Sequence, residues 1–422
     1  MSKISRVTAV SLLLTAAATP AFAQLQKGEK ATAEQVATGE VFAKPISEAE
    51  TVYRGLNGTM VAKRWTVPAA QDLLEYLDRV DEEGLDAADY GVEPLRAALN
   101  GRDQAELDRA ATDSFLRLSA DLALGNVPMA ARQSWHLKDT DLDGAQQFGL
   151  MERAIANGSV RDTLNSLLPT HPQYTELKQV LANVSDATVK DKVRANLDRW
   201  RWLPRDLGQR YVIVNVPAYT VALVEDGGVV ARHRAVVGAP KTATPSLGAT
   251  ATGVIFNPWW EVPASITPEV RGKKGYVSVK TPEGGVRYRQ PPGPGNALGR
   301  MKVVMPNNYA IYLHDTPSKA LFKNKMRAYS HGCIRTEDPL AFAQILLGNP
   351  EWTKEKINAT IAEGKTVKAD AAVATPVYIT YFTAAAAANN KGIIEYKDIY
   401  ARDGSVVTAL NAKGAATTLA SA

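Results

Sequence analysis

The sequence predicts an α+β chain, with a helical N-terminal part followed by a mostly β part. Three observations predict this. Apolar residues recur at helical spacing between Pro68 and Trp200, and the period falls to two after Pro204. Asp226-Gly227-Gly228 then lies between two β-rich runs as a hairpin signal. At 422 residues, 45% apolar and 22% charged, the chain is ordinary in composition and long enough for two cores. A net charge of +5 does not require nucleic acid, and no basic-aromatic RNA motif is present, so no nucleic-acid partner is expected.

Lys3 and Arg6 precede an apolar stretch from Val7 to Ala18. Pro20 breaks it, and Ala21-Phe22-Ala23 gives the small-x-small pattern of a cleavage site. Residues 1–23 therefore read as a secretory signal peptide, too short for a membrane span. No later run is long and apolar enough to cross a bilayer, so the mature chain is expected to lack a transmembrane segment.

Residues 24–64 form a polar lead-in. A helical region over 65–204 follows, beginning with Leu73, Leu74, Leu77 and Val80 on one face and Gly84 as a stop. Leu107, Ala111, Phe115, Leu118 and Leu122 mark a second helix ending at Gly125. Further helical stretches fall near 151–156, 160–168 and 173–183. Val189, Val193, Leu197 and Trp200 mark the last helix before Pro204. These apolar stripes are read as core, and His136 and His171 as structural or surface residues.

In the β part, residues 211–216, 220–224, 229–237, 253–257, 302–305 and 309–314 read as strands. Alternation along the last places Tyr312 and His314 on one face and Ile311 and Leu313 on the other. Asp338-Pro339 reads as the start of a helix that Gly348 ends. Residues 371–410 are expected to add late strands, and 411–422 to form a flexible tail.

Cys333 is the only cysteine. It lies within Ser330-His331-Gly332-Cys333-Ile334-Arg335, with a histidine two positions before it and His314 nineteen before it. A thiol attacks as the thiolate, and a neighbouring imidazole commonly generates it. A lone cysteine is more often a small buried hydrophobe. In an exported chain, however, an unpaired thiol risks oxidation without giving a disulfide staple, so a compensating role is expected.

The segment from Tyr211 to about Gly348 resembles an L,D-transpeptidase catalytic domain of the YkuD type. The resemblance rests on His314, fifteen intervening residues, then Ser330-His331-Gly332-Cys333-Ile334-Arg335. Three further stretches are similar to the larger periplasmic YcbB-like members: Asn196 to Pro204, Phe256 to Pro263, and Pro291 to Gly299. Around Gly84 to Tyr90 the helical part resembles their scaffold domain. Two departures stand out. No room exists between Tyr174 and Asn196 for an inserted peptidoglycan-binding domain, and Arg335 replaces the asparagine of many shorter members.

The resemblance implies a scaffold domain over 65–204 and a catalytic domain over 205–370, carrying a lid at about 259–300. It implies a periplasmic enzyme acting on peptidoglycan stem peptides, without cofactor or metal. Cys333 would attack the diaminopimelate–D-Ala bond of a tetrapeptide stem, with His314 as its base. Gly332, His331 and Ser330 would supply the oxyanion hole and loop support, and Arg335 and Tyr312 would contact substrate. The acceptor amine stays open, whether another stem, an envelope protein or a free D-amino acid. So does the choice between transfer and hydrolysis. A zinc site from His314, His331 and Cys333 and a non-catalytic wall-binding role are the competing readings.

Overall fold

The computed structural model describes residues 52–57, 60–138, 140–282, 284–388 and 392–420. The signal-peptide reading and most of the polar lead-in lie outside these residues.

The helical part is built as its sequence periodicity predicts. Helix Val67–Leu77 starts at Thr66, whose side chain accepts the Ala69 amide, and buries Ala70, Leu73 and Leu77. Helix Gln104–Leu124 starts at Asp103, which accepts the amides of Ala105 and Glu106. Trp65, Leu73, Phe115, Leu118 and Leu122 form the first core. Helices Gly144–Asn157, Val160–Asn165 and Pro172–Asn183 follow, then Ala187–Trp200. Helix Val92–Asn100 was missed in the sequence; it is a short element that fully buries only Leu95 and Ala98, with Val92 and Leu99 partly buried beside them.

The β part begins with β1 (Arg210–Asn215), β2 (Thr220–Glu225), β3 (Gly228–Gly238) and β4 (Leu247–Phe256). A small insertion holds β5 (Trp260–Glu261), β6 (Val277–Lys280) and β7 (Val286–Gln290). Then come β8 (Met301–Val304), β9 (Leu313–His314), β10 (Ala328–Ser330), β11 (Ile334–Thr336) and β12 (Val367–Thr380). The main sheet runs β10-β3-β11-β9-β8-β4-β12-β1-β2, and β2 pairs back with β3, closing the sheet into a ring. Closure leaves few free edges. Its core is Val212, Val214, Val221, Leu223, Val254, Phe256, Leu313 and Ile334, covered by Phe342 and Leu346 of helix Pro339–Leu347.

Two readings of the sequence need correction. The expected strand over 309–314 shrinks to two residues, because Ala310 has φ +52°. Asn307 holds the turn, donating to Met305 O at 2.8 Å and Ile311 O at 2.7 Å and accepting the Tyr309 and Ile311 amides. Among the described residues of the C-terminal segment, only Ala384–Ala386 and Ile393–Glu395 pair as strands after β12. A helix then spans Asp403–Ala420, where late strands were expected up to 410 and a flexible tail from 411. Its start is fixed by Asp398, which accepts the amides of Arg402 and Asp403, and by Arg199, which donates to Asp403 at 2.6 Å.

The two parts meet along the Asn196 to Pro204 segment. Asp198 is fully buried there and accepts four groups. These are the Asn126 amide at 2.7 Å, the Val127 amide at 3.1 Å, Trp202 Nε1 at 2.8 Å and Arg201 Nη1 at 3.4 Å. Arg201, 1% exposed, also donates to Tyr174 Oη at 2.7 Å and to the Glu83 carbonyl. Trp200 stacks between His171 and Phe382, with ring centroids 4.3 Å apart on each side.

Candidate active site

Strand pairing assembles the site. In the parallel pair of β9 and β11, Ile334 faces Leu313 and Arg335 faces His314. Ile334 and Leu313 point into the core, at 0% and 1% exposure. Period-two alternation then puts Cys333 and Arg335 on the other face, with Tyr312 and His314. Lys302, paired with His314 from β8, joins the same face. The residues singled out by spacing and the strand registers thus converge on one patch.

The Cys333 thiol donates to the Ala310 carbonyl at 3.6 Å. The tight turn at Ala310 is what presents that oxygen. The residue is partly exposed, yet burial of the sulfur pushes the thiol above its ordinary value of 9.0. Hydrogen bonds from the Tyr312 amide and side chain, and the charges of Arg335 and Lys302, oppose the rise without cancelling it. His314 is 4% exposed, and its Nδ1 faces the Asp315 carbonyl. Burial first, then the neighbouring Arg335 charge, push its pKa down to about 3. Both shifts favour neutral forms, so at rest the thiol and the imidazole on this face are both uncharged.

Alkylation of Cys333 by iodoacetamide should therefore keep rising with pH past 9.0, because the thiolate fraction is still growing there. A rate that levels off below pH 8 would show a depressed thiol instead.

The loop carrying the thiol is braced from several directions. Ser330 Oγ donates to the Cys333 carbonyl at 2.6 Å and accepts the Gly332 amide at 3.1 Å. Gly332 has φ +114°, and a Cβ there would come within 3.1 Å of Ile311 Cδ1, so glycine alone fits without strain. The Gly332 carbonyl accepts Thr244 Oγ1 at 2.7 Å. The Tyr400 hydroxyl holds the same support, donating to the Gly238 carbonyl at 2.6 Å and accepting the Thr244 amide at 3.2 Å. No spacing signal marked Thr244 or Tyr400, since their role depends on long-range packing. Lys302 could have been found, because alternation from β8 puts it beside His314.

Arg335 is partly buried, and its Nε has no hydrogen-bond partner among the described residues. Burial lowers its pKa, and the adjacent Cys333 supports its charge. His331 lies on the solvent side of the thiol loop. It is exposed, with Nε2 3.2 Å from Glu269 Oε1 on the short helix Thr267–Val270.

That helix belongs to the insertion between β4 and β8. Its three strands order as β5-β7-β6. Asn296 ties down its base, donating to the Pro258, Gln290 and Pro291 carbonyls. Asn257, at φ +48°, anchors the other end to Thr360, Ile361 and Lys365. Arg271, Lys273, Lys274, Lys280 and Arg287 are exposed, whereas Arg289 packs over Trp259 at 4.0 Å and pairs with Glu261 at 3.2 Å. Trp260 reaches the Tyr312 hydroxyl, so the insertion touches the patch around Cys333 directly. Among the described residues, no group of three or more His, Cys, Asp or Glu side chains is placed to hold a metal, and no helix is long and apolar enough to cross a membrane.

Comparison with known proteins agrees with this arrangement. Residues 209–379 match the model of the YkuD L,D-transpeptidase catalytic domain, and residues 60–181 match that of a scaffold domain. A curated protein of Haemophilus influenzae, whose recorded name proposes an L,D-transpeptidase, is 30% identical over 281 residues. The match covers 59% of this chain and 56% of that protein, so the chain spans little more than half the length of its curated relative. Among solved structures, an L,D-transpeptidase from Mycobacterium smegmatis is 17% identical, covering 41% of this chain and 58% of that one, with a TM-score of 0.23. L,D-transpeptidase 3 from Mycobacterium tuberculosis is 15% identical, covering 41% and 61%, with a TM-score of 0.24. Those structural scores are too low to add to the sequence matches. In chain order, then, this protein carries a scaffold domain followed by an L,D-transpeptidase catalytic domain of the YkuD type.

Proposed function

We propose that the chain is a periplasmic peptidoglycan L,D-transpeptidase that works through a Cys333 thioester. The observation that carries this reading is the single sheet face on which Cys333, His314, Tyr312, Arg335 and Lys302 meet within the matched domain. The substrate would be the diaminopimelate–D-Ala bond of a tetrapeptide stem.

Because thiol and imidazole are both uncharged at rest, His314 serves as a general base rather than as half of a standing ion pair. It takes the thiol proton as sulfur bonds to the substrate carbonyl carbon. The Gly332 amide is committed to Ser330 Oγ, which leaves the Cys333 amide, without a partner among the described residues, as the backbone donor for the oxyanion. The C–N bond breaks, D-alanine leaves with the proton from His314, and the acyl group stays on sulfur. Transfer to an amine then forms the new amide. Arg335 Nε, unpartnered beside the sulfur, suits a carboxylate of the stem. The exposed cations of the insertion suit the anionic stem as it approaches, which supports reading that insertion as a lid.

The test is incubation of the mature chain with purified disaccharide-tetrapeptide, followed by mass spectrometry of the products. Release of D-alanine with a 3→3 linked dimer is the expected result. Release of D-alanine with only disaccharide-tripeptide would make the enzyme a hydrolase, and unaltered substrate would overturn the enzymatic reading.

A further inference from the structure

The chain has two histidines near Cys333, and they occupy opposite environments. His314 is 4% exposed, enclosed by backbone carbonyls and cations. His331 has a side chain 46% exposed, paired at Nε2 with Glu269, whose side chain is 54% exposed. Nothing in the loop architecture requires that pair, because Ser330, Thr242 and Thr244 already hold the loop.

Acyl transfer to an amine poses a problem that the first half-reaction does not. The acceptor arrives from water as an ammonium ion, which has no lone pair and cannot attack. Some group must take its proton. His314 is poorly placed for this, because it is buried and shut off from the water through which the ammonium arrives. His331 lies on the solvent side of the same loop. Its Nε2–H donates to Glu269, which fixes the tautomer and leaves Nδ1 as the bare acceptor, without a partner among the described residues.

We propose that Glu269, carried by the insertion, is a positioning residue that orients His331 as the base for the incoming amine. This rests on the thioester reading above and adds a separate group for its second half. His331 Nδ1 takes one proton from the ammonium. The freed amine bonds to the thioester carbon, the C–S bond breaks, and Cys333 leaves as the thiolate. The second amine proton returns the thiolate to the thiol, and the proton held by His331 passes to solvent. The acceptor base is therefore complete only when the insertion brings Glu269 against the loop, and an open insertion holds an acylated enzyme that transfers poorly.

The test compares the native chain with Glu269→Gln and His331→Gln, using disaccharide-tetrapeptide as donor. D-Methionine serves as an acceptor that is an ammonium at pH 7, and hydroxylamine as one that is already neutral. Rates of D-alanine release and of product formation are followed together. Transfer to D-methionine should fall about 10-fold in Glu269→Gln and about 100-fold in His331→Gln. Transfer to hydroxylamine should stay within about twofold of native in Glu269→Gln. The double variant should be no slower than His331→Gln alone, as expected of residues acting as one unit.

Equal losses with both acceptors, or a matching loss in the first release of D-alanine, would make the contact a latch for the insertion and overturn the assignment. Native rates in Glu269→Gln with both acceptors would also overturn it. If the native chain never forms a thioester, the underlying reading fails instead, so the two failures are distinguishable.

Discussion

Replacing Cys333 with alanine should reduce D-alanine release from disaccharide-tetrapeptide by roughly 10⁴-fold or more, and should abolish any covalent adduct with a carbapenem. The size of the effect follows from the chemistry. Without sulfur there is no covalent intermediate, and water must attack an unactivated amide. The fold should survive, because the side chain is small and partly exposed and its contacts, with the Ala310 carbonyl and with Tyr312, are weak sulfur hydrogen bonds. Melting temperature and activity should therefore separate, with the first near native and the second lost. Retained turnover in the alanine variant would remove the basis for the thioester and for everything derived from it. A carbapenem is a suitable probe because its strained lactam carbonyl acylates a nucleophile without needing a correct acceptor.

The second large effect lies far from the thiol. Asp198→Ala should destabilise the chain by about 3–5 kcal/mol and lower the thermal midpoint by roughly 5–10 °C. The carboxylate is fully buried and accepts two backbone amides, an indole N–H and a guanidinium. Its loss leaves those donors without a partner, and it strands Arg201 as a buried charge with less compensation. Asp198→Asn should cost less, since it keeps one acceptor oxygen in place. A midpoint within 1 °C of native for the alanine variant would show that water or a local shift replaces the carboxylate. Calorimetry on the mature chain decides between these outcomes.

The order of the parts was legible in the sequence because it rests on local signals. Helical spacing located the helices that bury Leu73 and Phe115, and Asp226-Gly227-Gly228 located the hairpin between β2 and β3. The motif spacing put His314 and Cys333 on one sheet face, because a strand pair needs only the right register to align two short segments. What stayed hidden depends on groups distant in sequence. Asn307 converts an apparent strand into a turn through side-chain hydrogen bonds that no periodicity records. Glu269 meets His331 from 62 residues away, and neither neighbourhood hints at the other. The final helix was missed because alanine, threonine and glycine near the end of a chain have the composition of a tail, while the caps at Asp398 and Arg199 lie outside the segment.

The support of the thiol loop by Tyr400 has a consequence for the order in which the site comes into being. The hydroxyl that joins Gly238 to Thr244 is made long after the cysteine during synthesis. A nascent chain that already contains the whole motif still lacks the strut that braces the loop around Cys333. The brace is thus missing until the segment around Tyr400 docks, and a shorter nascent chain holds a sulfur atom that is present but unaimed.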